Sequence, residues 1–563
     1  MENDSKDFKT MMDEKLYSRN FKKWGFDLNP FVSFTAGFLV LALIVYAVLA
    51  NAGVFGMRPA DEVFSAIRGG VVNYGDWIFI LVSNFFILVG VFLAFSRLGR
   101  VRLGGMKAKP EFSNLGWYSM LISAGMGIGL MFWAVGEPLL HHHNPAPIFT
   151  DGDNSVSALA STFLHWGFHP WAIYAVMALS LAFFSYNKNL PLSLRSVFYP
   201  VFKDKVFGRL GDVIDLIAVL ATLIGLATSL GLGVQQINSG LNHLVNLPFS
   251  PLMQVGIILV VTAIAAISII SGIHKGVRFL SQINIKMAFA LMVLLLLFGP
   301  TLYIIRLFTS SLGLYLTDFP GSALFLALGE GEARDWQSAW TVFYLAWWIS
   351  WSPFVGMFIA RVSKGRTIRE FIIATLLVPS LLSFFWLSVF AGNAFRANET
   401  SGGALLSAVQ DNLPVALFEM FQYIEFPAFR GLVTVLFSLL ATVIIIFFFI
   451  TSSDSGSVVV NAITSGGKTT VKSRQRLFWA ITEGLIAATL ILIGGERALQ
   501  TLQDAVIITG LPFALMLLFM SFMLLQSLFT TYEKQKDIKD RKRIRNLLEG
   551  ENLISLDEQE EPN

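Results

Sequence analysis

The chain has 563 residues, 55% apolar and 14% charged, with 51 phenylalanines, no cysteine and a formal net charge of +3. Soluble domains carry about a quarter charged residues, so this composition excludes an ordinary soluble domain and describes an all-α polytopic membrane protein. The lack of cysteine excludes disulfides and cysteine-ligated metals, and so small a net charge calls for no nucleic-acid partner.

Residues 1–30 are polar, of mixed charge, and expected to carry no cleavable leader. About twelve apolar runs long enough to cross a bilayer follow. They are expected near 32–55, 76–96, 113–136, 158–185, 212–238, 251–273, 281–307, 337–361, 369–392, 431–453, 476–494 and 502–529. Shorter apolar stretches around 311–328 and 413–424 read as interfacial helices. Segments 1–30, 97–109, 188–209, 275–278, 361–369, 468–476 and 534–545 hold 33 of the 41 Lys and Arg residues. Positive charge marks the cytoplasmic side, which predicts both termini in the cytoplasm.

The third run contains Ser123 to Trp133, SAGMGIGLMFW, in which Gly125, Gly127 and Gly129 alternate. That much glycine weakens a regular helix. Unwound backbone at membrane depth survives where it is buried in protein or lines a cavity, and there it offers N–H groups to an anion and carbonyls to a cation. The other reading is close helix packing at small residues. Glu137 ends the run and either caps or pairs. The three histidines 141–143 form no defined metal site.

The fourth run holds HWGFHPWAIY, His165 to Tyr174. Trp171 and Tyr174 share a face, and Pro170 is expected to kink the helix and turn Trp166 to the same side. His165 and His169 read as satisfied buried histidines. The fifth run, with Thr222, Thr228, Ser229, Gln235 and Gln236 among glycines, suits helix packing or a pathway lining.

The eighth run carries FYLAWWISWSPF, Phe343 to Phe354. Tryptophan usually gathers at membrane surfaces, yet Trp347, Trp348 and Trp351 fall near its middle. Helical spacing puts Phe343, Trp347, Trp351 and Phe354 on one face, with Trp348 about 100° round from Trp347. Two aromatic sets, on the fourth and eighth runs, can box a quaternary ammonium. Neither set has an acid beside it, which favours a zwitterion carrying its own anion. The tenth run ends in FITSSDS, where Thr451, Ser452 and Ser453 can build an oxygen cage for a small hard cation or bond back to the preceding turn. The tail from Lys534 opens basic, as a solvated positive-inside signal or a contact for anionic lipid, and closes acidic and disordered.

With GMGIGLMFW and Glu137, HPWAIY, ATSLGLG, DWQSAWTVFYLAWWISWSPFVGMFIARVSKGRTIREF and FITSSDS, the chain resembles the betaine–carnitine–choline transporter family from about residue 30 to 530. It is most similar to the sodium-coupled glycine betaine carriers. The resemblance implies twelve spans, the last ten forming two inverted five-helix repeats of the leucine-transporter type, with broken or kinked third and eighth spans opening each half. The divisions are then 1–30, a cytoplasmic segment; 31–111, two peripheral helices; 112–310, the first repeat; 311–336, an extracellular interfacial helix; 337–530, the second repeat; and 531–563, a cytoplasmic tail. It also implies a homotrimer, sodium as coupling ion, no other cofactor and no enzymatic activity.

Carried over by position, the resemblance makes Trp166, Trp171, Tyr174, Trp348 and Trp351 the substrate box. Trp347 and Phe343 line the inner path, and Gly125, Gly127 and Gly129 meet the carboxylate. Ser123, Met126, Phe448, Thr451 and Ser452 hold sodium. A second sodium would use Thr222 and Phe354, but Leu226 stands where another threonine is expected. The alternatives are a proton-coupled choline importer, a sodium-independent carnitine or betaine exchanger, and a betaine-binding osmosensor.

Overall fold

The computed structural model describes residues 2–125, 127–271, 274–424, 430–468 and 472–557. They form α-helices joined by short turns, with no named strand. In order these are α1 (Glu2–Tyr17), α2 (Pro30–Asn51), α3 (Ala60–Phe95), α4 (Asn114–Gly125), α5 (Ile128–His143), α6 (Asn154–Trp166) and α7 (Phe168–Tyr186). The short α8 (Leu194–Val197) and α9 (Tyr199–Phe202) lead to α10 (Arg209–Val245), α11 (Pro251–Ser271), α12 (His274–Phe298) and α13 (Thr301–Ala323). The second half holds α14 (Glu332–Gln337), α15 (Phe343–Val362), α16 (Ile368–Thr400), α17 (Ala404–Asp411), α18 (Ala416–Gln422), α19 (Arg430–Thr464), α20 (Ser473–Gly494) and α21 (Ala498–Asp557).

Ten described stretches are long and apolar enough to cross a membrane, and the bent pair α4–α5 makes an eleventh. The tenth stretch, Ser473–Leu547, contains the turn Gly495–Arg497, which divides it into α20 and α21. Gly495 adopts a left-handed φ of 52° there, and the two helices pack on each other. Counted so, twelve helical crossings agree with the apolar runs of the sequence.

The spans differ in what they face. In the apolar core of α2 only 28% of residues are buried, against 94% along α6–α7 and 83% along α14–α15. The α2 helix turns Phe34, Phe38, Leu41 and Val48 outward, as a lipid-facing surface must. Its start follows from Asn29, which accepts the Val32 N–H, and from Pro30 in the first turn. The interior is built by α15, which packs most extensively on α7 and also on α10 and α21.

Several boundaries differ from the sequence expectation, each for a local reason. The fourth span breaks at Gly167 (φ −98°, ψ −122°), where a Cβ would meet Phe384 at 2.5 Å, and Pro170 falls in the first turn of α7. A proline there removes no helical hydrogen bond, so the kink belongs to the glycine. The eighth span is not broken: a π-helical turn, Ser338–Val342, leads into α15, which runs unbroken through Pro353. The seventh span stops at Phe298, and residues 301–307 belong to α13, because Gly299-Pro300 cannot continue the helix. The tail continues α21 to Asp557; the rest of its acidic end, 558–563, lies outside the described residues.

One end of the bundle is tied by charge. Arg195, wholly buried, donates to Asp215 at 2.7 Å and to Asp212 at 3.1 Å. Arg19 donates to the other oxygen of Asp212 at 2.9 Å, and Lys468 donates to Asp27. The segment after α1 is thereby fixed to α10 and to the turn after α19.

Candidate functional site

The glycine segment of the third span separates α4 from α5, which meet at 63°. Met126 lies outside the described residues. Gly127 is extended, with φ −167°. Gly125 and Gly129 are needed for closeness, whereas a Cβ on Gly127 would meet only Trp351, at 3.9 Å. A Cβ on Gly125 would come 2.3 Å from Cζ2 of Trp171. One on Gly129 would lie 2.9 Å from Trp347 and 3.0 Å from Trp166. The broken backbone is therefore pressed against indole rings from both aromatic runs.

Those rings converge. Trp166 at the end of α6 lies edge-on to Trp348, with centroids 4.9 Å apart, and to Trp347 at 6.3 Å. Trp347 and Trp348 stack at 4.8 Å with planes 14° apart. Tyr174 of α7 stands edge-on to Trp171 at 5.5 Å and to Trp348 at 6.4 Å. Phe343 stacks on Trp347 at 5.4 Å, and Trp351 follows Trp347 at 6.4 Å and meets Phe354 at 5.4 Å. The structure thus brings every aromatic residue read from the two runs into one connected set.

Hydrogen bonds fix the orientation of these rings. Trp347 donates to Ser229 Oγ at 3.1 Å, Trp351 to the Gly225 carbonyl at 3.0 Å, and Trp348 to the His165 carbonyl at 2.8 Å. Trp166 donates to Glu137 Oε2 at 2.8 Å. The Tyr174 hydroxyl, buried, has no protein partner among the described residues. The rings themselves carry no charge, but Glu137 bonds Trp166, so the expectation that neither aromatic set has an acid beside it does not hold.

Behind the rings stands Glu137, which sequence reasoning left as a cap or a pair. Its Oε2 accepts from both Trp166 and the Tyr344 hydroxyl, the latter at 2.5 Å, and its Oε1 accepts from His165 Nδ1 at 2.6 Å. His141 Nε2 lies 3.5 Å from Oε1. Glu137, His141 and His165 each offer one ligand atom within 4.8 Å of the others. However, Trp336 donates to His141 Nδ1 at 3.3 Å, which puts the ring's own proton on Nε2, facing the carboxylate. The cluster is arranged as a hydrogen-bond network. Tyr344 was missed because one tyrosine among many aromatics carries no spacing signal.

The candidate ion residues lie in a neighbouring cavity of about 160 Å³, lined by Ser123, Phe448, Thr451 and Ser452 together with Trp351, Phe354 and Asn284. Thr451 donates its proton to the Phe447 carbonyl at 2.8 Å, which leaves its oxygen lone pairs for a cation. Asn284 of α12 is buried, and neither of its side-chain polar atoms has a protein partner among the described residues. Phe354 lines this cavity, whereas Thr222 is not among its described lining and donates to the Ala218 carbonyl at 2.6 Å. Leu226, where another threonine is expected, has no side-chain oxygen to offer.

Comparison with known proteins agrees with this geometry. The model of the betaine/carnitine/choline family transporters matches residues 37–533. A protein named glycine betaine transporter 1 from Vibrio parahaemolyticus is 43% identical over 517 residues, covering 91% of this chain and 96% of its own. A second protein of the same organism, named as a glycine betaine/proline/choline/ectoine transporter, is 42% identical over 521 residues, covering 91% of this chain and 89% of its own. A multi-pass helical protein with a glycine-broken span set against converging aromatic rings, and with these relatives, belongs to the betaine/carnitine/choline transporter family.

Proposed function

We propose that the protein imports a zwitterionic quaternary-ammonium or sulfonium osmolyte, glycine betaine or a close analogue, by sodium-coupled alternating access. The observation that carries this is the uncharged aromatic box against the Gly125–Gly129 segment. An onium group cannot donate hydrogen bonds and gains about 0.5–2 kcal/mol from each desolvated ring face. Its carboxylate can meet the N–H groups that the helix break leaves free. Three or four rings give a few kcal/mol, which with the carboxylate contact suffices for affinities between roughly micromolar and millimolar. The names of the two relatives support the substrate class.

Sodium fits the second cavity because hydroxyls and carbonyls suffice for one positive charge. Ser123, Phe448, Thr451 and Ser452 would hold it, with Met126 contributing backbone. One sodium moving through about 100 mV supplies roughly 2.3 kcal/mol. We place the protein in a bacterial inner membrane, by likeness to its Vibrio relatives, with both termini cytoplasmic on the distribution of Lys and Arg. We also read its last ten spans as two inverted five-helix repeats and its assembly as a homotrimer.

Uptake of labelled glycine betaine into liposomes bearing the purified protein, with and without an inward sodium gradient, tests the reading. Sodium-driven accumulation is expected. Exchange of internal for external substrate without a sodium requirement would replace it with an exchanger, and binding without counterflow would replace it with an osmosensor.

A further inference from the structure

Glu483 lies midway along α20, wholly buried, and neither of its carboxylate oxygens has a hydrogen-bond partner among the described residues. An ionisable group at membrane depth is costly to leave unpaired, and where one occurs it marks an ion or proton path. Ser453 of α19 is its polar neighbour, and the Ser453 hydroxyl is also buried and without a partner among the described residues. Successive residues on a helix are turned by about 100°. Ser452 therefore lines the cavity of Thr451 while Ser453 addresses α20.

Gly456 keeps this place open. A Cβ on it would come 3.2 Å from Glu483 Oε1 and 2.6 Å from Leu226 Cδ1. Asp454 is the charged group that bears on Glu483, and Asp454 itself accepts from Arg476 at 2.6 Å. From the other helices packed on this part of α20, Leu226 of α10 and Thr262 of α11 approach it, and neither is charged. With Asp454 balanced by Arg476, an ionised Glu483 would leave one negative charge over, which a single bound cation offsets.

We propose that Glu483 and Ser453 hold a sodium ion inside the membrane. This site is additional to the one formed by Thr451 and Ser452, and as a second coupling ion it rests on the sodium-coupled reading above. It lies beside Leu226, where hydroxyl ligands for a second sodium are lacking, and it supplies a carboxylate in their place.

The test compares wild type with E483Q, E483D, S453A and T451V as purified full-length proteins in detergent, by equilibrium binding of radioactive sodium. E483Q is expected to bind one sodium fewer per chain than wild type. E483D retains the ion and S453A weakens its binding several-fold, which separates site loss from misfolding. Equal sodium counts in wild type and E483Q would overturn the proposal. Failure of the sodium-coupled reading registers elsewhere, as a T451V protein that binds as much sodium as wild type.

Discussion

Glu137 Oε2 accepts the indole N–H of Trp166 at 2.8 Å while Glu137 Oε1 accepts from the residue before it, His165. A single carboxylate on α5 thus sets the angle of a ring contributed by α6. Glu137→Gln keeps the shape but replaces an acceptor by a donor. Hydrogen bonds to a charged group contribute about 1.5–3 kcal/mol. The half-saturation for glycine betaine is therefore expected to rise roughly tenfold to a hundredfold, with the purified protein still monodisperse. An unchanged uptake curve would show that the ring holds its place without the carboxylate.

Trp348 stacks on Trp347 and faces Trp166, so Trp348→Leu removes one wall of the box. A ring face contributes about 0.5–2 kcal/mol to holding an onium ion, and the half-saturation is expected to rise roughly 2- to 30-fold. Trp348→Phe keeps a weaker face and should fall between. Uptake kinetics of all three proteins give the order, and equal values would move the onium group elsewhere.

Thr451 lines the second cavity through an oxygen whose proton is already given to the Phe447 carbonyl. Thr451→Val removes that oxygen with almost no change of volume. Betaine uptake measured against sodium concentration should then require several-fold more sodium, while the dependence on betaine at saturating sodium changes less. A parallel loss in both curves would indicate a packing defect.

Asp27 lies outside the spans. Burial would raise its carboxyl, but hydrogen bonds from Lys468 and Asn20 outweigh that and hold it below its ordinary value. A depressed carboxyl stabilises above its unfolded value of about 3.9 and loses that contribution as pH falls through the folded value. Docking of residues 20–29 onto the turn after α19 should therefore persist at neutral pH and loosen only in acid. Amide hydrogen exchange of this segment at several pH values measures it, and Asp27→Asn should show faster exchange already at neutral pH.

The number of spans, the broken third span and both aromatic sets were readable in the sequence because each rests on a local pattern: apolar run length, alternating glycine, and rings at helical spacing. What was not readable depends on contacts between distant segments. Pro170 drew the kink because proline is the stronger local signal, yet Gly167 takes it because Phe384 and the Phe163 carbonyl leave no room there for a Cβ. Glu137 gave no role until α6 and α15 brought Trp166, His165 and Tyr344 to it. Asn284, in the polar stretch SQINIK, and Glu483, alone among the apolar residues of its run, gave no signal of their own, and only the packing of α12 and α20 shows what they face.

The contact between Gly125 and Trp171 has an evolutionary reading. The two positions compete for one volume, since even a methyl group at 125 would lie 2.3 Å from the indole. A lineage of such carriers that gains bulk in the broken span must first, or at the same time, surrender the ring across from it. Ligand preference in these proteins should accordingly drift in ordered steps, with bulk at 125 retained only where the ring at 171 has already been lost or is lost with it.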